Sequence, residues 1–154
     1  MALDDDIAVL SRQPLLGLME RDALRLLAFA AETRSLRAGD ILFRAGDVGD
    51  GALLVLSGAV ALTTGEDGQP ASEIAGPGAL IGELALFAGL RRPVTAIVRE
   101  PTQLMKLSRS VMRRVLAEFP GSAEKLAEAV AERLRAFAGE LQSVQAALEA
   151  IDRR

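Results

Sequence analysis

The spacing of apolar residues divides the chain into three zones. Between about residues 14 and 33, Leu15, Leu16, Leu18, Leu24, Leu27 and Ala28 recur at helical intervals. They predict one or two short amphipathic helices. The acids Asp4, Asp5 and Asp6 ahead of them read as the solvated start of a helix. Between about residues 36 and 107 the character changes. Short apolar runs at 41–43, 53–56, 60–62, 74–75, 96–98 and 104–107 are punctuated by glycines, among them Gly39, Gly46, Gly58 and Gly78. Short strands at this spacing with glycine turns predict an antiparallel sandwich or barrel. The stretch TTGEDGQP, residues 63–70, reads as the polar tip of a hairpin.

The third zone is helical. Ser108 or Ser110 is placed to cap a helix through Val111, Val115 and Leu116, which the Pro120-Gly121 pair stops. Ser122 is then expected to cap a long helix reaching about Ile151. Its apolar residues fall at Leu126, Val130, Leu134, Phe137, Leu141, Val144, Leu148 and Ile151, close to a heptad seam. Two readings of the seam stand: a helix packed on its own barrel, or the contact of a homodimer. The second is favoured, because about 30 helical residues span some 45 Å, more than a small barrel covers. The chain is therefore expected to divide into a body, residues 1–120, and a dimerisation element, the long helix of residues 121–154.

Composition removes whole classes of chemistry. The 154 residues include no Cys and no His. Thiolate nucleophiles, Cys or His metal sites, and Ser-His systems are thereby excluded. Carboxylate or Lys catalysis and carboxylate-bound metal are what remain. The net charge of −3 supplies no positive field for nucleic acid, and five Phe without Trp or Tyr offer little for base stacking. The N-terminus carries acids where a signal peptide needs basic residues, and no apolar run has membrane-spanning length. A cytoplasmic protein without membrane contact is expected.

Residues 78–95, GALIGELALFAGLRRPVT, stand apart. A glycine-acid pair precedes a short apolar turn and two arginines, which a proline follows. Together with Gly46-Asp47, Gly49, the apolar run 53–55 and Gly58, the segment resembles the cyclic nucleotide-binding domain family. The run Ile81-Gly82-Glu83-Leu84-Ala85-Leu86 matches the start of that family's phosphate-binding cassette at every position. The resemblance covers nearly the whole chain. It implies an α+β fold: short N-terminal helices, an antiparallel, jelly-roll-like β-roll with the cassette embedded, and two C-terminal helices, the last one long.

The chemistry suits a buried cyclic phosphate, a monoanion that needs a cation and backbone N–H groups at a turn. Gly82 permits close backbone approach. By resemblance, Glu83 accepts a hydrogen bond from the ribose 2′-hydroxyl, the Ala85 N–H faces a phosphate oxygen, and Arg92 is the phosphate-binding arginine. Leu84, Pro93, Val94 and Thr95 complete the implied ligand-binding set. Arg91 is expected to be a solvated neighbour. Glu83 as a simple turn-capping charge and Arg92 as a surface ion-pair partner are the bland alternatives.

The sequence departs from the family after the arginine, where Arg-small-Ala is usual and Arg92-Pro93-Val94-Thr95 stands here. Proline lacks the N–H that the phosphate normally receives. Losing one hydrogen bond to a charged group costs about 1.5–3 kcal/mol, roughly ten- to hundred-fold in affinity. Relatives selective for cGMP tend to carry Thr directly after the arginine, so Pro93 makes cAMP the expected ligand. Arg133, Arg135 and Phe137 are the residues of the long helix available to cap the base, although Phe137 also lies on the seam, where packing is its expected role.

Three functions follow. The first is a non-catalytic cAMP sensor that signals through its C-terminal helix, as a homodimer, to an unknown protein partner, without a cofactor. The second is the same fold without ligand, kept as a dimerisation or protein-interaction module. The third, an enzyme with a metal on the β-roll, has no His to supply its ligands. Some relatives continue into a DNA-reading helix-turn-helix; with the chain ending at Arg154, direct DNA binding is not expected.

Overall fold

The computed structural model describes residues 2–64 and 71–152. Helix α1 (Ala2–Ser11), a 3-10 turn (Leu16–Leu18) and α2 (Arg21–Phe29) precede the strands. Strands β1 (Glu32–Leu36), β2 (Ile41–Phe43), β3 (Gly51–Ser57), β4 (Val60–Thr63), β5 (Glu73–Ala75), β6 (Leu80–Ile81), β7 (Thr95–Val98) and β8 (Thr102–Ser108) follow. A second 3-10 turn, Glu83–Leu86, lies between β6 and β7, and α3 (Arg109–Glu118) and α4 (Pro120–Asp152) end the fold.

The strands form two antiparallel four-stranded sheets, ordered β1-β8-β3-β6 and β2-β7-β4-β5. This is the expected α+β β-roll with helices at both termini. All six apolar runs lie inside strands. β3 shows why such runs can be continuous, since both its faces are covered. Leu53 and Val55 point between the sheets to Phe43, Val60, Ala96 and Leu104. Ala52 and Leu54 point the other way, into a second core with Leu10, Leu27, Met112 and Leu126 of the helices. One strand thus joins the apolar interior of the roll to the helical layer.

Two strands differ from the sequence expectation. The helical zone ends at Phe29, and β1 takes Glu32 and Thr33. This edge strand is exposed along most of its length, so it carries no apolar alternation to read. β6 has only two residues, held by pairing with Leu53 and Leu54 of β3. Of the hairpin tip at 63–70, residues 65–70 lie outside the described residues.

The helix ends also redistribute. Ser108 caps α3, its hydroxyl accepting from the Val111 N–H at 3.2 Å. Ser122 does not cap the long helix, which already begins at Pro120. Proline suits the first helical turn, where its missing N–H has no intrahelical partner to lose. Ser122 is instead buried, and its hydroxyl accepts from the Glu20 N–H at 2.9 Å, tying α4 to the start of α2. Ser122→Ala is expected to cost about 1 kcal/mol and to lower the melting temperature by roughly 2–4 °C. Calorimetric or denaturant unfolding measures this directly, and an unchanged midpoint would show the tie to be worthless.

Along α4, Leu126 is fully buried and Ala129 and Val130 pack beside it on the chain's own helical core. Leu148 is 58% exposed. The seam thus starts as an intramolecular contact.

Candidate functional site

The cassette is shaped by one glycine. Gly82 has φ +77°, a left-handed conformation that residues with a Cβ rarely adopt. It turns the chain out of β6 into the 3-10 turn Glu83–Leu86, which Ala85 and Leu86 anchor by burial. The return segment is pinned to the loop between β2 and β3. The Gly49 N–H donates to Leu90 O (2.9 Å), the Arg92 N–H to Asp47 O (2.7 Å), and the Gly46 N–H to Arg92 O (2.8 Å). Backbone bonds on both sides of Arg92 fix where its side chain starts.

The guanidinium is enclosed. Arg92 is 8% exposed. Its Nη2 donates to Gly51 O at 2.7 Å, and its Cζ lies 4.4 Å from the centre of the Phe43 ring. A Cβ at Gly49 would stand 2.8 Å from Cζ, and a Cβ at Gly82 would collide with Nη1, so both glycines are there to let the arginine in. Burial weakens its hold on the proton, while the charges of Asp50 and Asp47 strengthen it; an arginine remains charged under any such pressure. Among the described residues, Nη1 is buried without a hydrogen-bond partner. A native protein seldom leaves a buried charged donor unpaired.

Two cavities meet at Gly82, Arg92 and Pro93. One, of about 340 Å³, opens into the roll past Phe43, Leu62 and Ala75. The other, of about 220 Å³, lies between the cassette and α4, where Arg133 and Phe137 face Leu84 and Leu90. Phe137 therefore lines the site as well as lying on the seam, and Arg133 joins it; Arg135 lines neither cavity.

The remaining expected residues take distinct places. Glu83 is half-buried, and its Oε2 accepts from the N–H groups of Leu15 (3.2 Å) and Leu16 (3.5 Å). It ties the cassette to the N-terminal 3-10 turn. The Ala85 N–H closes its own turn on Gly82 O at 3.0 Å. Leu84 borders the cavity under α4, Pro93 borders both cavities, and Val94 packs against the core of the roll. Thr95 is drawn aside, its hydroxyl accepting from the Ala45 N–H at 2.9 Å. Arg91 is exposed, borders the cavity under α4, and donates to Gly46 O at 2.8 Å.

Sequence reasoning missed Phe43, the Gly51 carbonyl and Arg109. The Arg109 Nη1 donates to Gly49 O (2.9 Å) and Ala85 O (3.4 Å), joining α3 to both walls around Arg92. All three act through chain segments far apart in sequence, and none carries a local signal.

Burial raises the proton affinity of Glu83 above its ordinary value of 4.5, against the opposing effects of the Leu15 and Leu16 N–H groups and the Arg133 charge. A carboxyl held more tightly protonated in the folded state stabilises the fold fully only below the unfolded value. That contribution is lost as pH rises through the folded one. Glu83→Gln keeps an acceptor oxygen without the charge. It is expected to be more stable than the parent at pH 7, with the advantage shrinking as pH falls through the raised value and gone below about pH 4.5. Denaturant unfolding at pH 7 and pH 4 checks the sign.

A family description, "Cyclic nucleotide-binding domain", matches residues 33–119, from the second residue of β1 through α3. The chain belongs to the cyclic nucleotide-binding domain family. This family is a regulatory binding domain rather than a catalytic one. A solved cyclic nucleotide-binding-like protein from Brucella abortus is 40% identical, with a TM-score of 0.69, over 74% of this chain and 99% of that one. The cyclic AMP receptor protein of Thermus thermophilus is 35% identical over 99 residues, 63% of this chain and 46% of the relative. Lysophospholipase nte1 of Aspergillus fumigatus is 30% identical over 109 residues, 70% of this chain. This chain spans only 7% of that relative's length, so the likeness is to one domain within it. No helix among the described residues is long and apolar enough to cross a membrane.

Proposed function

We propose that the domain binds a cyclic nucleotide, cAMP in preference to cGMP, and transmits occupancy through α4 without catalysing a reaction. The observation that carries this is the buried, unpartnered Nη1 of Arg92 beside Gly82. A charge enclosed at such cost is retained where an anion repays it. Arg92 and Gly82 hold the cyclic phosphate, with Ala85 N–H close by, and Glu83 offers its second oxygen to the ribose. Pro93 gives guanine's amino group no hydroxyl, and one of the relatives is a cyclic AMP receptor. Residues 1–120 form the ligand body and residues 121–154 the dimerisation element, which passes the signal to a cytoplasmic protein partner. Arg133 and Phe137 place α4 where a ligand would touch it.

A second reading is a ligand-free interaction module. It is favoured by Pro93, which lacks an N–H, and by the engagement of Glu83 with Leu15 and Leu16. Calorimetry on the nucleotide-stripped chain separates the two. Saturable heat with cAMP, and binding of cGMP about ten-fold weaker, supports the sensor. No heat at millimolar nucleotide from a folded protein supports the module.

A further inference from the structure

We propose that Glu73 accepts a hydrogen bond from the exocyclic amino group of the bound base and so sets base selectivity, an assignment that rests on the cyclic nucleotide reading. The cavity within the roll has a cationic end at Arg92 and Gly82 and a second polar end at Ser72 and Glu73 of the β5 region. Strand register puts Glu73 there. Glu73 pairs with Leu62 of β4, and residues directly opposite on antiparallel strands share a face. Ala75, two residues on, is buried on the same face, whereas Ile74 between them is 47% exposed on the other. Leu62, Glu73 and Ala75 all border the cavity.

A nucleotide with its phosphate at Arg92 extends its base along this cavity, between apolar walls that include Phe43, Leu62 and Ala75. Apolar walls suit the faces of a purine, but its polar edge needs a partner. The Ser72 hydroxyl already donates to Leu62 O at 2.9 Å. An ionised carboxylate has only acceptor lone pairs. Adenine's donor is its N6 amino group, so Glu73 complements that edge and rejects a base without a donor there. Glu73 is itself exposed, at the rim of the cavity, and a charge on β5 has a competing use, since β5 is a sheet edge and charges there discourage pairing between chains.

The test compares four 3′,5′-cyclic phosphates on the full chain by calorimetry: those of adenosine, purine riboside (which lacks the amino group), guanosine and inosine. Glu73 also repels the phosphate of every ligand, and its removal raises all affinities by a common factor that the comparison cancels. For the parent chain, cAMP is expected to bind about ten-fold more tightly than the purine riboside compound. In Glu73→Ala that ratio is expected to fall to about one, and in Glu73→Gln, which keeps one acceptor oxygen, to lie between. The guanosine and inosine compounds both present O6, an acceptor, where adenine has N6, so both should gain affinity relative to cAMP in Glu73→Ala. Equal changes for cAMP and the purine riboside compound overturn the role of Glu73 while leaving the sensor intact, as expected if the carboxylate only guards the edge. Binding of no cyclic nucleotide by the parent chain overturns both.

Discussion

Arg92→Met is expected to abolish cyclic nucleotide binding while changing the stability of the fold by no more than about 1 kcal/mol. The two effects separate because the arginine serves the ligand more than the fold. Its guanidinium is almost wholly enclosed, with one nitrogen bonded to Gly51 O and another without a partner among the described residues. Burying a charge is unfavourable, and replacing one by an apolar side chain of similar length is often neutral or stabilising. Against this stand one hydrogen bond and the contact with Phe43, together about 1–3 kcal/mol. The net change in stability should therefore lie within about 1 kcal/mol of zero. Binding has no such compensation. Removing the cation from a desolvated phosphate costs about 2–5 kcal/mol, or roughly thirty- to several thousand-fold in Kd. Unfolding and calorimetry on one preparation test both halves. A folded variant that retains the parent affinity would remove Arg92 from the site, and a collapse in stability would make it structural.

Gly82→Ala is expected to damage fold and site together. Its φ of +77° costs a residue with a Cβ about 1–3 kcal/mol. The added Cβ also meets Arg92 Nη1, whose guanidinium is hemmed in by Phe43 and Gly49 and cannot retreat. Stability should fall by about 2 kcal/mol or more, with nucleotide binding lost as the arginine is displaced. The steric part depends on Arg92, so the double variant Gly82→Ala/Arg92→Ala should be destabilised by less than the sum of the single changes. Additive free energies would mean that only the backbone strain mattered.

These two residues were readable from the chain because the cassette is continuous. Gly82, Glu83 and the turn after them obey a local rule, a left-handed residue followed by a tight helical turn, and Arg92 follows within ten residues. Pro93 was readable as a missing N–H for the same reason. What surrounds them was not. Gly51 and Phe43 reach the arginine through loop and strand packing across 41 and 49 residues of chain, and Arg109 reaches the Gly49 carbonyl beside it across 60. Residues so distant leave no periodicity that marks them as neighbours. Glu83 is the plainest instance. The family resemblance suggested a ribose acceptor, but its half-buried carboxylate also found the N–H groups of Leu15 and Leu16, 68 and 67 residues away.

The chain alone determined the apolar strand runs, the glycine turn and the charge at the cassette, because each depends on neighbours within a few residues, and it gave the class of fold through the family its motifs resemble. Only the tertiary structure decided where polar groups spend their hydrogen bonds. Ser122, read as a cap for its own helix, serves Glu20, and the exposed edge β1 became a strand because β8 offered an unpaired backbone. Hydrogen-bonding groups take whichever partner the packed fold brings within about 3 Å, and sequence distance has no bearing on that choice.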